Sequence, residues 1–157
     1  MNRIFLSIVL LAQVLFVRVA MANEPADKIL GKWISDEKNL IVEVYKLGNK
    51  YNAKILWFRP VDAKTKVVYK TYDIHNPDVK LQSRKIVGID VVQNLIYNEH
   101  NHQWEEGIIY DATLGRQWSA YAHLSPKEIL IVKGYWHFKF ISKTLVFTRF
   151  DKKLGEQ

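Results

Sequence analysis

The residues best suited to bind the polar group of a small molecule lie in a long segment between Arg59 and Arg84. This segment contains Asp73, Asn76 and Asp78. Loops longer than about 15 residues without structure of their own are uncommon and often bind ligands. Asp and Asn side chains also bond their own backbone, and Asn before Pro favours the start of a turn. The segment is therefore either a structural turn held by its carboxylates or a binding loop.

Motifs for catalysis or metal binding are weaker. The sequence has no nucleophile elbow, Gly-rich phosphate loop, HExxH pair or cysteine, so we predict no catalytic residue and no cofactor, and an enzyme is the less favoured alternative. Glu105 and Glu106 are adjacent, and neighbours on a strand point to opposite faces, so they should not converge on one substrate. His100 and His102 have the spacing of metal ligands on a strand, but their polar surroundings are typical of a hairpin loop. Solvated loop histidines are the preferred interpretation, and a metal site is the alternative.

Alternating polarity predicts that short β-strands position these residues. Apolar and polar residues alternate in Tyr51–Phe58 and in Gln117–Leu124, which is the pattern of half-buried strands. A short helical turn is expected over Asp27–Leu30. Six further segments read less cleanly as strands: Lys32–Ser35, Leu40–Leu47, Lys85–Val92, Glu106–Asp111, Glu128–Tyr135 and Lys143–Phe150.

Eight short strands joined by tight turns predict an all-β antiparallel meander. Such a sheet removes its free edges by closing into an eight-stranded barrel, and a β-sandwich is the alternative. Gly31 and Trp33 open the first strand, and Arg149 ends the last. A guanidinium over the indole would join these two strands, with a cation–π contact of about 0.5–2 kcal/mol. We therefore predict that Gly31, Trp33 and Arg149 close a barrel.

Several motifs in a fixed order carry a resemblance to a known family. Taken with the Gly-x-Trp and Thr-Arg ends, they resemble the bacterial domain of unknown function 2147, a small exported family with a lipocalin-like (calycin) β-barrel. The resemblance covers Gly31 to Phe150, and the chain departs from the usual pattern at Ala112, Trp118 and Phe147. The matching residues are Asp73, Asn76, Pro77, Asp78, Arg84 and Gly88, then Trp104, Gly107, Tyr110, Asp111 and Gly115, then Leu130, Val132, Gly134 and Tyr135.

The interior of the barrel has two interpretations. Eight strands enclose a lumen just wide enough for packed side chains or for one small ligand. Large side chains could fill it, leaving an envelope interaction module, or line a cavity that binds a small apolar or amphipathic ligand without catalysis. Trp57 and Trp118 are candidate ligand contacts. The residues expected to face inward are Tyr51, Ile55, Trp57, Trp118, Leu130 and Val132.

A polar rim is expected where one strand ends and the next begins. Tyr110 and Asp111 end a predicted strand, and Arg116 starts the following one, so all three should lie at one end of the barrel. If the long segment covers that end, Asp73, Asn76, Asp111 and Arg116 could orient the head group of a ligand. The alternative is an ion pair between Asp111 and Arg116, worth about 0.2–1 kcal/mol if exposed.

The first 22 residues have the order of a secretory signal peptide. Arg3 precedes an apolar run from Ile4 to Val17, and Ala20-Met21-Ala22 supplies small residues for cleavage before Asn23. Spanning a membrane needs about 20 apolar residues, and Arg18 interrupts the run. We therefore expect a signal peptide over residues 1–22 and one domain over 23–157. The protein would be exported, periplasmic or secreted, and not an integral membrane protein after cleavage.

The charge of the expected mature chain restricts its partners. The chain has 23 basic and 16 acidic residues, and the first 22 residues hold two of the basic ones, which leaves a net charge of +5. A mild excess of this kind suits a protein near an anionic envelope surface. Basic residues are spread along the chain without a helical stripe or stacking motif, so we predict no nucleic-acid binding.

Overall fold

Eight antiparallel strands form one closed barrel in a computed structural model that describes residues 24–59, 72–136 and 138–151. Each strand pairs with its neighbours in the sequence, and β1 pairs with β8, which confirms the predicted meander. The expected signal peptide lies outside the described residues. The strands are β1 (Gly31–Ser35), β2 (Leu40–Leu47), β3 (Lys50–Phe58), β4 (Asp90–Asn98), β5 (Gln103–Asp111), β6 (Arg116–Leu124), β7 (Leu130–Trp136) and β8 (Phe138–Arg149).

The connections alternate between the two ends of the barrel. We call one end the mouth, where β1 joins β2, β3 joins β4, β5 joins β6 and β7 joins β8. The other end, the base, carries the remaining three turns and a 3₁₀ helix over Pro25–Ile29, followed in sequence by β1. A second 3₁₀ helix, Val79–Leu81, lies within the β3–β4 connection. In the described part of the chain, no helix is long and apolar enough to span a membrane.

Strand β4 begins later than the sequence pattern predicts. The prediction was Lys85–Val92, whereas the strand runs from Asp90 to Asn98. Ile86 and Ile89 are buried, but they belong to a turn in which the Ile89 N–H donates to the Ile86 carbonyl at 3.2 Å. Gly88 supplies the positive φ of +96° that this turn needs. The sequence pattern predicted a strand there because Ile86 and Ile89 are apolar, although both are buried in a turn.

The expectation that Trp57 faces inward is wrong. Trp57 pairs with Ile41, while the next pair along the ladder joins Ile55 to Val42. The intervening residue of β3 forms a β-bulge, and one extra residue exchanges the two faces of a strand. Trp57 is consequently 37% exposed, and Phe58 lines the interior in its place.

Arg149 lies over the Trp33 ring where the first and last strands pair. The guanidinium carbon is 4.1 Å from the ring centroid, and the two residues are direct partners across β1 and β8. Its terminal nitrogens donate to the carbonyl oxygens of Leu30 and Lys28. Gly31 permits this approach, since it has a φ of +111° and a Cβ there would lie 3.0 Å from an Arg149 nitrogen. These contacts fix the N-terminal 3₁₀ helix to the barrel seam.

The 3₁₀ helix is attached across the base by side chains from other strands. The indole N–H of Trp33 donates to the Ile29 carbonyl at 2.8 Å, and that of Trp104 donates to the Ala26 carbonyl at 3.0 Å. Ile29 itself is 1% exposed and reaches the barrel interior. The helix therefore covers the base and contributes to the core.

Candidate functional site

A large cavity occupies the barrel. Its volume is about 1290 Å³, so the side chains do not fill the interior. Ile55, Trp118, Leu130 and Val132 line it, as expected, and so does Ile109. The other apolar residues around it include Val42, Val44, Ala53, Phe58, Val92, Leu95, Leu145 and Phe147.

Charged side chains border the cavity where it meets the mouth. Asp36 and Glu37 come from the β1–β2 turn, Arg59 from the end of β3, Asp111 from the end of β5 and Lys143 from β8. Apolar walls with polar groups at one end are the usual form of a site for an amphipathic small molecule. The cavity could therefore accept an apolar body and leave a polar group at the mouth.

Asp73 is the centre of a buried hydrogen-bond network. It is 0% exposed, and its carboxylate accepts from Tyr110 Oη at 2.5 Å and from Asn76 Nδ2 at 2.7 Å. Arg84 donates through Nε at 2.9 Å and forms an ion pair through Nη2 at 2.8 Å. Asn76 Nδ2 also lies 3.0 Å from Tyr110 Oη. The structure thus brings three candidate site residues together, with their polar groups directed at one another.

Tyr110 remains a neutral hydrogen-bond donor within this network. Burial and the hydrogen bond to Asp73 raise the pKa of Tyr110 from 10.0 to about 12. The Arg84 guanidinium lies 5.6 Å from the Tyr110 ring centroid. Tyr110 therefore attaches the β3–β4 connection to β5, and its ring borders the cavity.

A close backbone approach places the same connection on the β5–β6 turn. Gly115 has a φ of +64°, and a Cβ on this residue would overlap the carbonyl oxygen of His75. His75, Ile74 and Tyr72 also line the cavity. The β3–β4 connection therefore contacts the mouth next to Tyr110 and Asp111, which is the end where the sequence predicts a polar rim.

The remaining rim candidates have separate environments. Asp111 borders the cavity, but its Oδ1 accepts from the backbone N–H and the hydroxyl of Thr113 at 2.9 and 2.5 Å. Arg116 is exposed and is not among the cavity-lining residues. Among the residues that the structure describes, no ion pair joins Asp111 to Arg116. Asp78 is exposed and accepts from the Lys80 N–H at 3.0 Å, so it caps the short 3₁₀ helix.

The two adjacent carboxylates lie outside the barrel. A β-bulge between Trp104 and Gly107, with a φ of +60° at Glu106, leaves both Glu105 and Glu106 beside a shallow depression on the outer surface. The expectation that they face opposite sides is therefore wrong. Asn98 and Asn101 donate to the Glu105 carboxylate at 3.0 and 2.9 Å.

His100 and His102 occupy the β4–β5 turn at the base, as the loop interpretation expected. His102 Nδ1 lies 2.9 Å from Tyr97 Oη. Within the described ranges, the two histidines do not join a group of three or more metal-binding side chains.

Several cavity residues were not identified from the sequence. Phe58 and Ile29 line the interior because of the β3 bulge and the position of the 3₁₀ helix, neither of which changes the apolar pattern. Arg84 was recognised only as part of a motif. The motif places Arg84 eleven residues after Asp73, but the sequence alone does not show that these two side chains form an ion pair.

Comparisons with known proteins agree with this geometry. The family described as an uncharacterized protein conserved in bacteria (DUF2147) matches residues 31–149. Among solved structures, protein HP1028 from the human pathogen Helicobacter pylori, described as belonging to the lipocalin family, is similar with a TM-score of 0.65. The two sequences are 20% identical, and the match covers 78% of this chain and 83% of that one, which shows a shared fold. No curated protein matches the chain. The chain therefore has a lipocalin-like barrel and belongs to the DUF2147 family.

Proposed function

We propose that this protein binds a small apolar or amphipathic molecule in its barrel and does not catalyse a reaction of that molecule. The observation that carries the proposal is the cavity of about 1290 Å³ with apolar walls. Burial of apolar ligand surface supplies about 25 cal/mol per Å², so such a cavity can bind a ligand without a dedicated polar anchor. Sites for drug-sized ligands usually measure about 300–1000 Å³, so an acyl chain or a ring system fits by size.

The polar end of the ligand would remain at the mouth. Asp111, Arg59 and Lys143 border the cavity there, so the mouth offers both signs of charge. The buried Asp73 network supports the proposal differently, because it holds the β3–β4 connection in place beside the cavity. Asp73 and Asn76 thus position the mouth, whereas Asp111 is the rim candidate that borders the cavity.

Tryptophan fluorescence tests the proposal directly. Trp118 lines the cavity, whereas Trp33 and Trp104 are buried at the base. We expect oleic acid, a bacterial lipid extract or a porphyrin to change the emission in a saturable way. Trp118→Phe should remove most of that change. A flat response to all three probes would contradict the proposal.

A matched pair of cavity variants makes the test specific. Val132 lines the cavity, and its neighbour Ile131 in β7 is not among the lining residues. Val132→Phe should weaken binding by at least about tenfold, because the added ring takes up ligand space. Ile131→Phe adds a ring at the adjacent position and should bind as the unchanged protein does. Equal affinities in both variants would move the site out of the barrel.

We also propose that the protein acts outside the cytoplasm. The support is the order of basic, apolar and small residues over 1–22. Mass spectrometry of the protein from the cell envelope should give a mature N-terminus at Asn23. The same sample suits an untargeted survey of co-purifying small molecules, and an envelope protein that retains residues 1–22 would contradict the cleavage.

A further inference from the structure

Exposed apolar side chains are concentrated at the mouth. Among the described residues, nine large apolar side chains are substantially exposed, and six of these belong to the mouth. Leu47, which is 63% exposed, lies at the base, and the other two lie on outer strand faces. Scattered exposed apolar residues are ordinary, but a group at one end of a molecule marks an interaction surface. The mouth group consists of Ile74, Val79, Leu81, Val87, Leu114 and Val146.

This apolar surface is continuous with the cavity. Ile74, Leu114 and Val146 line the cavity and are also 38%, 56% and 37% exposed. Val146 belongs to the mouth because its carbonyl accepts from the Asp36 N–H in the β1–β2 turn at 2.9 Å. An apolar ligand that passes over these side chains remains in contact with apolar groups from the outside to the cavity. The path suits direct exchange with an apolar medium.

The exposed charges at the mouth favour an anionic partner. Among the described residues, the mouth has six exposed cationic side chains and three exposed carboxylates. The base has four of each sign: Lys28, Lys46, Lys127 and Arg149 against Glu24, Glu99, Glu128 and Asp151. Basic groups beside exposed apolar residues are the combination that binds anionic lipid surfaces. The mouth cations are Lys38, Arg59, Lys80, Lys85, Arg116 and Lys143, and the carboxylates are Asp36, Glu37 and Asp78.

We propose that the mouth docks on an anionic lipid bilayer and that the cavity exchanges an acyl-chain lipid with it. The docking rests on the exposed apolar group and the excess of cations. The exchange rests in addition on the proposed ligand-binding function. In the docked state, Leu114 and Val79 insert at the lipid interface while Lys80 and Lys85 contact the lipid phosphates.

Vesicle flotation tests the docking with a control at the opposite end of the barrel. We expect the protein to float with vesicles of phosphatidylcholine and phosphatidylglycerol, and much less with phosphatidylcholine alone. High salt should reduce the bound fraction, because it screens the surface charge. Leu114→Asp should lower partitioning by about tenfold. Leu47→Asp, which places the same charge at the base, should leave partitioning unchanged.

A second pair of variants isolates the contribution of charge. Lys80→Glu should lower partitioning to the anionic vesicles by at least about fivefold. Lys127→Glu introduces the same change in an exposed residue of the base and should have little effect. Equal losses from both would show that net charge matters rather than the mouth, which would overturn the proposal.

Three further outcomes are decisive. Absence of flotation with anionic vesicles would overturn the docking, as would equal losses for Leu114→Asp and Leu47→Asp. A dimer in solution that Leu114→Asp dissociates would assign the surface to a second copy of the chain and would also overturn it. Flotation and oleic acid titration of Val79→Asp, the titration read from Trp118, separate the two proposals, because Val79 is 75% exposed and is not among the cavity-lining residues. If the variant still binds oleic acid but no longer floats, docking is supported. If the unchanged protein does not bind oleic acid, the proposed ligand function is refuted.

Discussion

At the residue scale, Arg149 is the side chain with the clearest separable role. Its guanidinium stacks on Trp33 and donates to two backbone carbonyls of the N-terminal segment. Arg149→Ala should lower the free energy of unfolding by about 1–3 kcal/mol, since it removes a cation–π contact and charged hydrogen bonds. Urea unfolding measures the loss. Lys127→Ala is the control, and an equal effect of both variants would contradict this role.

Two tyrosines should titrate far above the ordinary range. Burial, together with hydrogen bonds to Asp73 and Asp27 respectively, raises the pKa of Tyr110 and of Tyr51 from 10.0 to about 12. Each neutral hydroxyl therefore stabilises the folded chain below pH 10, and this contribution is lost as the pH rises through about 12. Phenolate absorbance should show both of them among the groups that titrate last.

Substitution assigns one of these late groups. Tyr110→Phe should remove one of them and cost about 1–2 kcal/mol of unfolding free energy, because Asp73 loses a buried donor. The pKa of Tyr45 is also raised, but its carboxylate partner is Asp90. Tyr45 therefore lies outside the Asp73 network that Tyr110→Phe tests. If Tyr110→Phe left both late groups in place, the assignment of the network would be wrong.

At the element scale, the N-terminal 3₁₀ helix depends on the charge of Asp27. The Asp27 carboxylate accepts from Lys46 Nζ at 2.8 Å and from Tyr51 Oη at 2.6 Å, and these bonds lower the pKa of Asp27 below 3.8. The resulting stability is present above the ordinary pKa and is lost as the pH falls through the lowered one. Asp27→Asn should therefore be less stable at neutral pH and approach the unchanged protein in acid.

Urea unfolding across the acid range measures this convergence. Glu24→Gln is a suitable control, because Glu24 precedes the same helix and its side chain makes no cap hydrogen bond. A constant difference between Asp27→Asn and the unchanged protein at every pH would contradict the assignment of the stabilisation to the Asp27 charge.

Two glycines in other turns provide a matched test of how the β3–β4 connection is held. Gly115 and Gly48 both have a φ of +64°, but a Cβ at Gly48 meets nothing within 4 Å. Gly48→Ala should therefore cost about 1–2 kcal/mol, the cost of a left-handed conformation alone. Gly115→Ala should cost clearly more, because the methyl group overlaps the His75 carbonyl and displaces the connection.

Thermal unfolding of these two variants gives the comparison, and ligand titration gives a second measure. Since His75 and Ile74 line the cavity, Gly115→Ala should also weaken oleic acid binding, whereas Gly48→Ala should not. Equal stabilities of the two variants would show that the connection does not depend on its contact with the β5–β6 turn.

The strand order could be predicted from the sequence because each strand needed only its own alternation and a turn signal. The faces of the strands were less predictable. The bulge in β3 exchanges the faces at Trp57, and the bulge in β5 places Glu105 and Glu106 on the same side. A bulge is set by pairing with the neighbouring strand, so local periodicity carries no record of it.

At the scale of the whole molecule, closure of the barrel and filling of its interior are determined by different residues. Closure could be predicted because Trp33 and Arg149 stand at the two ends of the strand series. Whether side chains fill the barrel could not be predicted, because the cavity volume depends on the orientation of every wall residue. One reversed strand face, for example, places Phe58 rather than Trp57 in the interior. The same limit applies to Asp73, whose partners come from positions 76, 84 and 110.

The alternation of turns between mouth and base has a consequence for divergence within the fold. Residues that border the cavity recur in the hairpin tips at one end, while the Trp33–Arg149 contact and the N-terminal 3₁₀ helix lie at the other. Insertions in the β1–β2 or β5–β6 tip can therefore change the lining of the cavity entrance while the barrel persists, as binding loops diversify on an immunoglobulin sandwich. The base turns, such as Gly48-Asn49, are in turn the places to attach a fluorophore or a surface without obstructing entry.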